Sequence, residues 1–243
     1  MNSLLRLTKR SYSSAAFTNR LLLYGAKTPN GIKPAILLEE LRAANGLQYD
    51  SIFNDSMHKI ALSKNVQKEP WYIKLNNNGR IPTLVDGLRN NFTVFESMAI
   101  LLYLGHHYDK GRKFSFDPSS QPDGYSETVQ WMAWAHGGLG PMSGQVGHFR
   151  NAAPEKLPYA IERYTDETKR LYSVLEIRLS QGQREWLAGS GKGMYSIADM
   201  NAWPWVAGHR FIGIESLDEW PSLQKWFKVI SERPQVQAGR EVF

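Results

Sequence analysis

Cysteine is absent from all 243 residues. That excludes disulfides, thiolate metal sites and cysteine nucleophiles, so any thiol chemistry must use a sulfur brought by a ligand. Long apolar runs are missing as well. Although 42% of the chain is hydrophobic, nothing approaches the ~18 consecutive apolar residues of a membrane-crossing helix. The six histidines show no ligand spacing such as HExxH, so no metal is implied. Acidic residues are absent from the start of the chain, where Glu39 is the first.

That last absence locates the charge. The formal net charge is +6, but Arg6, Lys9, Arg10, Arg20, Lys27 and Lys33 all precede Glu39, and the remaining 23 basic residues equal the 23 acidic ones. The excess therefore belongs to a leader, and no nucleic-acid partner is inferred. On a helical wheel Leu4, Leu5, Leu7 and Tyr12 share one side, with Arg6, Lys9 and Arg10 on the other. An acid-free, Arg- and Ser-containing amphipathic start resembles a mitochondrial presequence, with Arg10-Ser11-Tyr12-Ser13 as a matrix-peptidase site. Residues 1–20 are read in this way and the mature protein as mitochondrial. A disordered basic tail on a cytoplasmic protein is the alternative.

From residue 21 onward the chain changes character. Short β runs (21–24, 49–52, 81–85, 92–95) alternate with helical patterns (33–41, 97–108), and Asp86-Gly87 to Asn90-Asn91 makes a hairpin turn. Residues 21–109 form this α/β domain. Residues 110–123, rich in Ser, Pro, Gly and charge, read as an exposed linker. Residues 124–243 read as all helical, with segments at 125–136, 160–179, 197–211 and 222–231. The seven tryptophans of this half (131, 134, 186, 203, 205, 220 and 226) are assigned to core and interdomain packing.

Two helix starts stand out. Ser196-Ile197-Ala198-Asp199 spells a capping box, in which Asp199 accepts from the Ser196 backbone; both residues are assigned a structural role. Glu96-Ser97 opens the helix at 97–108, where free backbone N–H groups and the positive dipole end favour an anion. Gly189-Ser190-Gly191-Lys192-Gly193 imitates a phosphate loop, but Trp186 and Gly193 occupy positions that need Gly and Ser/Thr, so it is a turn. The sequons at Asn54 and Asn91 lack a secretory signal and are read as chance matches.

Thr28-Pro29-Asn30-Gly31, Asn78 to Pro82, and Phe95 to Ser97 running into Ala99 to Leu104 follow one another as the thiol-activating, cis-proline and γ-glutamyl motifs of glutathione transferases do. Residues 137–145, 152–164 and 195–199 then resemble one branch, the bacterial Nu class and its fungal relatives near the prion-forming nitrogen regulator. The resemblance covers about residues 21–240. It implies a thioredoxin-like N-terminal domain followed by an all-α C-terminal domain, and a homodimer.

The resemblance also implies a site for glutathione as co-substrate, with no prosthetic group. Asn30 donates to the glutathione thiolate, with the Thr28 hydroxyl as a second donor. Ser97 binds the γ-glutamyl carboxylate and Glu96 its ammonium. Pro82 is cis and turns the backbone of Ile81 toward the cysteinyl unit. Gln67 contacts the glycyl end, and Arg170 reaches a glutathione carboxylate. Tyr24, a catalytic tyrosine in other classes, is assigned to the core. The activity implied is glutathione-dependent reduction of a small disulfide. The alternatives are conjugation of glutathione to electrophiles and a non-catalytic regulator that binds glutathione; the lack of a long Asn/Gln-rich N-terminal tract argues against the regulator.

Overall fold

A computed structural model describes residues 20–51 and 60–243. The proposed leader and the Asn54 sequon lie outside the described residues. Four strands form one sheet in the order β2-β1-β3-β4: β1 (Leu21–Tyr24), β2 (Tyr49–Ser51), β3 (Thr83–Asp86) and β4 (Phe92–Phe95). β2 runs parallel to β1, whereas β3 is antiparallel to both β1 and β4. Leu23 pairs with Leu84 and Leu22 with Val85. Because side chains alternate across a strand, Leu21, Leu23 and Leu84 enter the main core on one face. Tyr24 and Val85 turn to the other face, where they pack with Tyr72. Tyr24 is thus a core residue, as its sequence context indicated.

Helix α1 (Pro29–Asn45) starts four residues earlier than the apolar pattern suggests. The reason is local. Thr28 is the N-cap, its Oγ1 accepting from the Gly31 N–H at 3.1 Å, and Pro29 takes the first helical position, where no N–H is needed. Asn30, which a free Pro-Asn-Gly turn would use as the cap, lies inside the first turn instead. Gly31 is required there, because a Cβ would sit 2.2 Å from the Ala26 carbonyl oxygen. Residues 33 to 41 of α1 are buried all round, as expected of a helix in the middle of a core.

The short α2 (Pro70–Leu75) covers the second sheet face, and α3 (Ser97–His107) follows β4 directly. The second region comprises α4 (Pro122–Trp134), a π-helical segment (Ala135–Leu139), α5 (Gly140–Asn151), α6 (Pro158–Leu179), α7 (Ile197–Ala207), α8 (Pro221–Ser231) and α9 (Pro234–Glu241). Neither α5 nor α9 was legible as a helix. Their Gly, Pro and polar content gives little apolar periodicity, and packing supplies what propensity lacks.

The connector departs from expectation. Rather than lying wholly exposed, its centre is buried: Ser115 is 4% exposed, Phe114 7% and Phe116 9%. Asp109, fully buried, accepts from the N–H groups of Lys113 and Phe114 and from the Ser115 hydroxyl. The Phe114 carbonyl accepts from Ile197 N–H at 2.9 Å, which joins the two regions at the start of α7. The helix α4 also begins within the span read as linker. At the far end α9 lies along α1, where Arg233 grips the Glu40 carboxylate at 2.7 and 3.0 Å. Gly239 makes this closeness possible, since a Cβ there would come within 2.8 Å of the Ile36 backbone.

Candidate active site

A cleft of about 420 Å³ runs between the first turns of α1 and α3, the loop before β3 and the helical region. Asn30 and Lys33 of α1, Asn78, Arg80, Ile81 and Pro82 of the loop, and Glu96 and Ser97 at the start of α3 line one side. His136, Gly140, Gln145 and Trp205 line the other. The three sequence motifs, dispersed over nearly seventy positions, converge here.

Asn30 and Ser97 meet across the cleft floor. The Ser97 hydroxyl donates to Asn30 Oδ1 at 3.4 Å, so the side-chain amide keeps its Nδ2 hydrogens unspent among the described residues. Ser97 is the first residue of α3. The N–H groups of that first turn have no intrahelical partner, and the preceding residue, Glu96, provides no side-chain cap. This helix start is therefore open to an anion.

Glu96 has φ 69°, the left-handed region that a side chain bearing a Cβ rarely adopts. Its carboxylate is held between two elements, accepting from Asn78 Nδ2 at 3.2 Å and lying 3.2 Å from His136 Nε2. Burial, with Lys33 nearby, keeps the His136 imidazole below its ordinary range despite Glu96. Its Nε2–H then serves as a neutral donor. His136 occupies the π-helical segment 135–139, an irregularity that often places functional side chains.

The peptide bond between Ile81 and Pro82 is cis, as the resemblance implied. The loop is clamped from behind. Asn76, 2% exposed, donates to the Arg80 carbonyl at 2.7 Å and to Thr83 Oγ1 at 2.9 Å, while its Oδ1 accepts from Asn78 N–H. Tyr72 donates to the same carbonyl at 2.9 Å. What reads in sequence as a plain Asn-Asn-Asn-Gly turn is thus a support for Ile81.

Three of the expected site residues are placed elsewhere. Thr28 stands one step behind the cleft as the cap of α1; its oxygen accepts there, and its hydroxyl hydrogen is still free to donate. Gln67 lies in a 3-10 turn (Val66–Lys68) beside the cleft loop, with Nε2 3.5 Å from Asn65 Oδ1, and does not line the cleft. Arg170 is not brought to the cleft at all. It is exposed on α6 and paired with Glu167 at 2.7 and 2.8 Å. There it lines a separate hollow of about 810 Å³ with Arg163, Glu162 and Asp166.

Sequence reasoning missed Lys33, His136 and Trp205. Lys33 was counted with the leader charge and Trp205 with the core, and a lone His136 carries no spacing signal. Trp205 fits because α5 starts with glycine: a Cβ at Gly140 would lie 2.8 Å from its Nε1. Ser196 and Asp199 are where their motif placed them. Asp199, completely buried, accepts from Ser196 N–H at 3.0 Å and also from Leu187 N–H and Trp226 Nε1. Burial raises its carboxyl to about 6, against these donors.

A sheet domain with a cis-proline loop, joined through an open helix start to a helical domain, is the architecture of a glutathione transferase. The family model described as "Glutathione S-transferase, N-terminal domain" matches residues 20–106 and its C-terminal counterpart residues 141–234, so the chain belongs to this family. The disulfide-bond oxidoreductase YfcG of Escherichia coli K12 is 40% identical over 216 residues, covering 87% of this chain and 90% of its own. A glutathione transferase homolog from Lodderomyces elongisporus, crystallised with two GSH per subunit, superposes with a TM-score of 0.82 at 38% identity, covering 93% of this chain and 99% of that one. The glutathione transferase URE2P6 of Phanerochaete chrysosporium, in complex with oxidized glutathione, gives 0.80 at 40% identity, with coverages of 92% and 96%.

Proposed function

We propose that this protein is a glutathione-dependent disulfide reductase in which Asn30 stabilises the thiolate of bound glutathione. The observation that carries the reading is the meeting of Asn30 with the open start of α3 in a chain that has no cysteine. A thiol near pKa 8.5 is only a few per cent ionised at neutral pH, and the thiolate is the nucleophile. One hydrogen bond to a charged acceptor is worth about 1.5–3 kcal/mol, or roughly one to two pKa units. The Nδ2 donor of Asn30 supplies that bond, assisted by the positive end of α1 and, at second rank, by the Thr28 hydroxyl.

The thiolate attacks one sulfur of a small disulfide. A glutathione mixed disulfide forms and the other sulfur leaves as a thiolate, which takes up a proton from water. A second glutathione thiolate then attacks the mixed disulfide at the glutathione sulfur, giving oxidised glutathione and the second free thiol. Every sulfur is a ligand's. Ser97 and the first N–H groups of α3 receive the γ-glutamyl carboxylate and Glu96 pairs with the ammonium. The Ile81 backbone lies alongside the cysteinyl unit, held by the clamp from Asn76 and Tyr72. Gln67 is proposed at the glycyl end, beside the cleft loop. Support comes from the relatives named for disulfide-bond oxidoreduction and from those crystallised with glutathione or its oxidised form. A homodimer, a mitochondrial matrix location directed by residues 1–20, and detoxification of small disulfides are part of the same proposal. An Arg170 contact to glutathione would have to be made from outside the cleft of its own protomer.

Turnover of hydroxyethyl disulfide with glutathione, measured for residues 13–243 (the chain after cleavage at the proposed matrix-peptidase site behind Tyr12) and for its Asn30→Ala variant, tests the reading. A fall of about ten- to a hundredfold in the variant, at equal folded content, is the expected result. Absence of turnover in the unsubstituted protein despite glutathione binding would overturn it in favour of electrophile conjugation or a binding role.

A further inference from the structure

Lys33 is buried with 0% exposure, at the wall of the cleft. Its Nζ is 3.5 Å from Ser97 Oγ and 5.8 Å from the centroid of the Trp205 ring. Among the described residues it forms no ion pair, although ten others are found. A buried ammonium without a counterion is strongly disfavoured. Burial accordingly lowers its ordinary value to about 7, and the only charge opposing that shift is Glu96. A lysine that merely packs its stem would carry its charge out to water; this one ends at a cavity instead.

The charged groups around it leave the position open. The Glu96 carboxylate is already shared between Asn78 and His136. The His136 ring, kept below its ordinary range, is neutral from pH 7 upward. Arg80 lines the loop side of the cleft and stays cationic. From α7, Asp199 is spent on Ser196, Leu187 and Trp226. From α9, Glu241 pairs with Lys27, Arg233 with Glu40, and Arg240 lies over Trp203. Among the described residues, nothing on the elements packed against α1 supplies a counterion.

We propose that Lys33 is the counter-cation for a carboxylate of the bound ligand, and that binding is coupled to protonation of its amine. With its pKa lowered to about 7 by burial, the amine is only partly protonated near neutral pH, and an arriving carboxylate draws a proton onto it. This assignment rests on the glutathione reading for the identity of the carboxylate. It adds a binding residue to Ser97 and makes affinity depend on pH in a definite direction. Where the free amine is neutral and the bound one charged, each added pH unit weakens binding by about tenfold.

Calorimetric titration of the full chain with oxidised glutathione, which has no ionisable thiol, tests this between pH 6.5 and 8.5. Repeating each titration in two buffers of different ionisation enthalpy gives the number of protons taken up. In the unsubstituted protein the Kd should rise about tenfold or more from pH 7 to 8.5, with proton uptake. Lys33→Met should bind at least tenfold more weakly at pH 7 and lose most of that uptake, and any residue shared by both proteins belongs to the ligand's own ammonium. Should the variant fail to fold, NMR titration of the Lys33 side chain decides: its transition must move to higher pH when oxidised glutathione is added. Equal Kd and equal uptake in Lys33→Met, or an unmoved Lys33 transition, would overturn the assignment and leave the glutathione reading standing. If the unsubstituted protein does not bind oxidised glutathione at pH 6.5, the glutathione reading falls and takes the assignment with it.

Discussion

Helices α3 and α7 begin in opposite ways. The start of α7 is closed: Ser196 Oγ accepts from Ala198 N–H, and Asp199 returns to the Ser196 N–H while also holding Leu187 and Trp226. The start of α3 is open. Glu96 sits at φ 69°, no side chain caps the first turn, and the nearest hydroxyl, that of Ser97, faces Asn30 and Lys33. A helix start saturated by its own chain serves folding. One whose first N–H groups have no side-chain cap, beside a lysine without an ion pair among the described residues, has donors to offer an anion. In α7 the serine is the N-cap and a buried acid follows three residues later, whereas in α3 the N-cap is Glu96, the serine is the first helical residue, and no acid follows in the first turn.

Substitutions can break or sharpen this contrast. The largest effect is expected at the closed start. Asp199→Ala removes the acceptor of the Ser196 N–H and hydroxyl, the Leu187 N–H and Trp226 Nε1, and should cost about 3–5 kcal/mol of stability. Chemical denaturation measures it, and glutathione affinity per folded molecule should be unchanged. A melting curve identical to that of the unsubstituted protein would end the structural reading of Asp199.

At the open start the sign reverses. Lys33 has a folded-state pKa of about 7, below the 10.5 of an unfolded lysine. Below pH 7 both states carry the charge, and the folded state bears its burial. Between pH 7 and 10.5 the unfolded state binds more protons, so this cost shrinks as pH rises. Lys33→Met should therefore stabilise the fold by on the order of 2–4 kcal/mol at or below pH 7, with the gain fading toward pH 10. A stabilised protein that binds its ligand poorly is the trade expected of a functional site.

Smaller effects follow. Glu96→Gln keeps the shape but removes the charge offered to an ammonium. It should weaken glutathione binding by roughly 1.5–3 kcal/mol, with little change in melting temperature; calorimetry and a thermal scan on the same sample separate the two. Thr28→Ala removes the cap of α1 and should cost about 1 kcal/mol of stability. A loss of turnover well beyond that of destabilisation would give Thr28 the donor role as well.

Much of this protein is written in local sequence. Short β runs bounded by turn residues gave β1, β3 and β4, the hairpin chemistry of residues 86–91 joined two of them, and the capping box placed the start of α7. These signals are legible because each depends on residues within a few positions of one another. The motifs at 28–31, 78–82 and 95–97 likewise mark the cleft's N-terminal wall, and the lack of cysteine confines any thiol chemistry to ligand sulfur.

The tertiary structure alone decided the rest, because the deciding quantity there is the environment. Lys33 is one basic residue among 29 in the sequence and becomes exceptional only when α3, α7 and α9 close around α1 and remove its water. Trp205 and His136 reach the cleft from elements more than a hundred residues away from Asn30, a distance no local pattern spans. Arg170 shows the converse: its sequence setting suggested a ligand contact, while the fold gave it Glu167 and another face. Local sequence specifies which backbone groups and side chains are available; packing determines which keep spare capacity, and at this cleft, among the described residues, those are Asn30 Nδ2, the first N–H groups of α3 and a lysine without an ion pair.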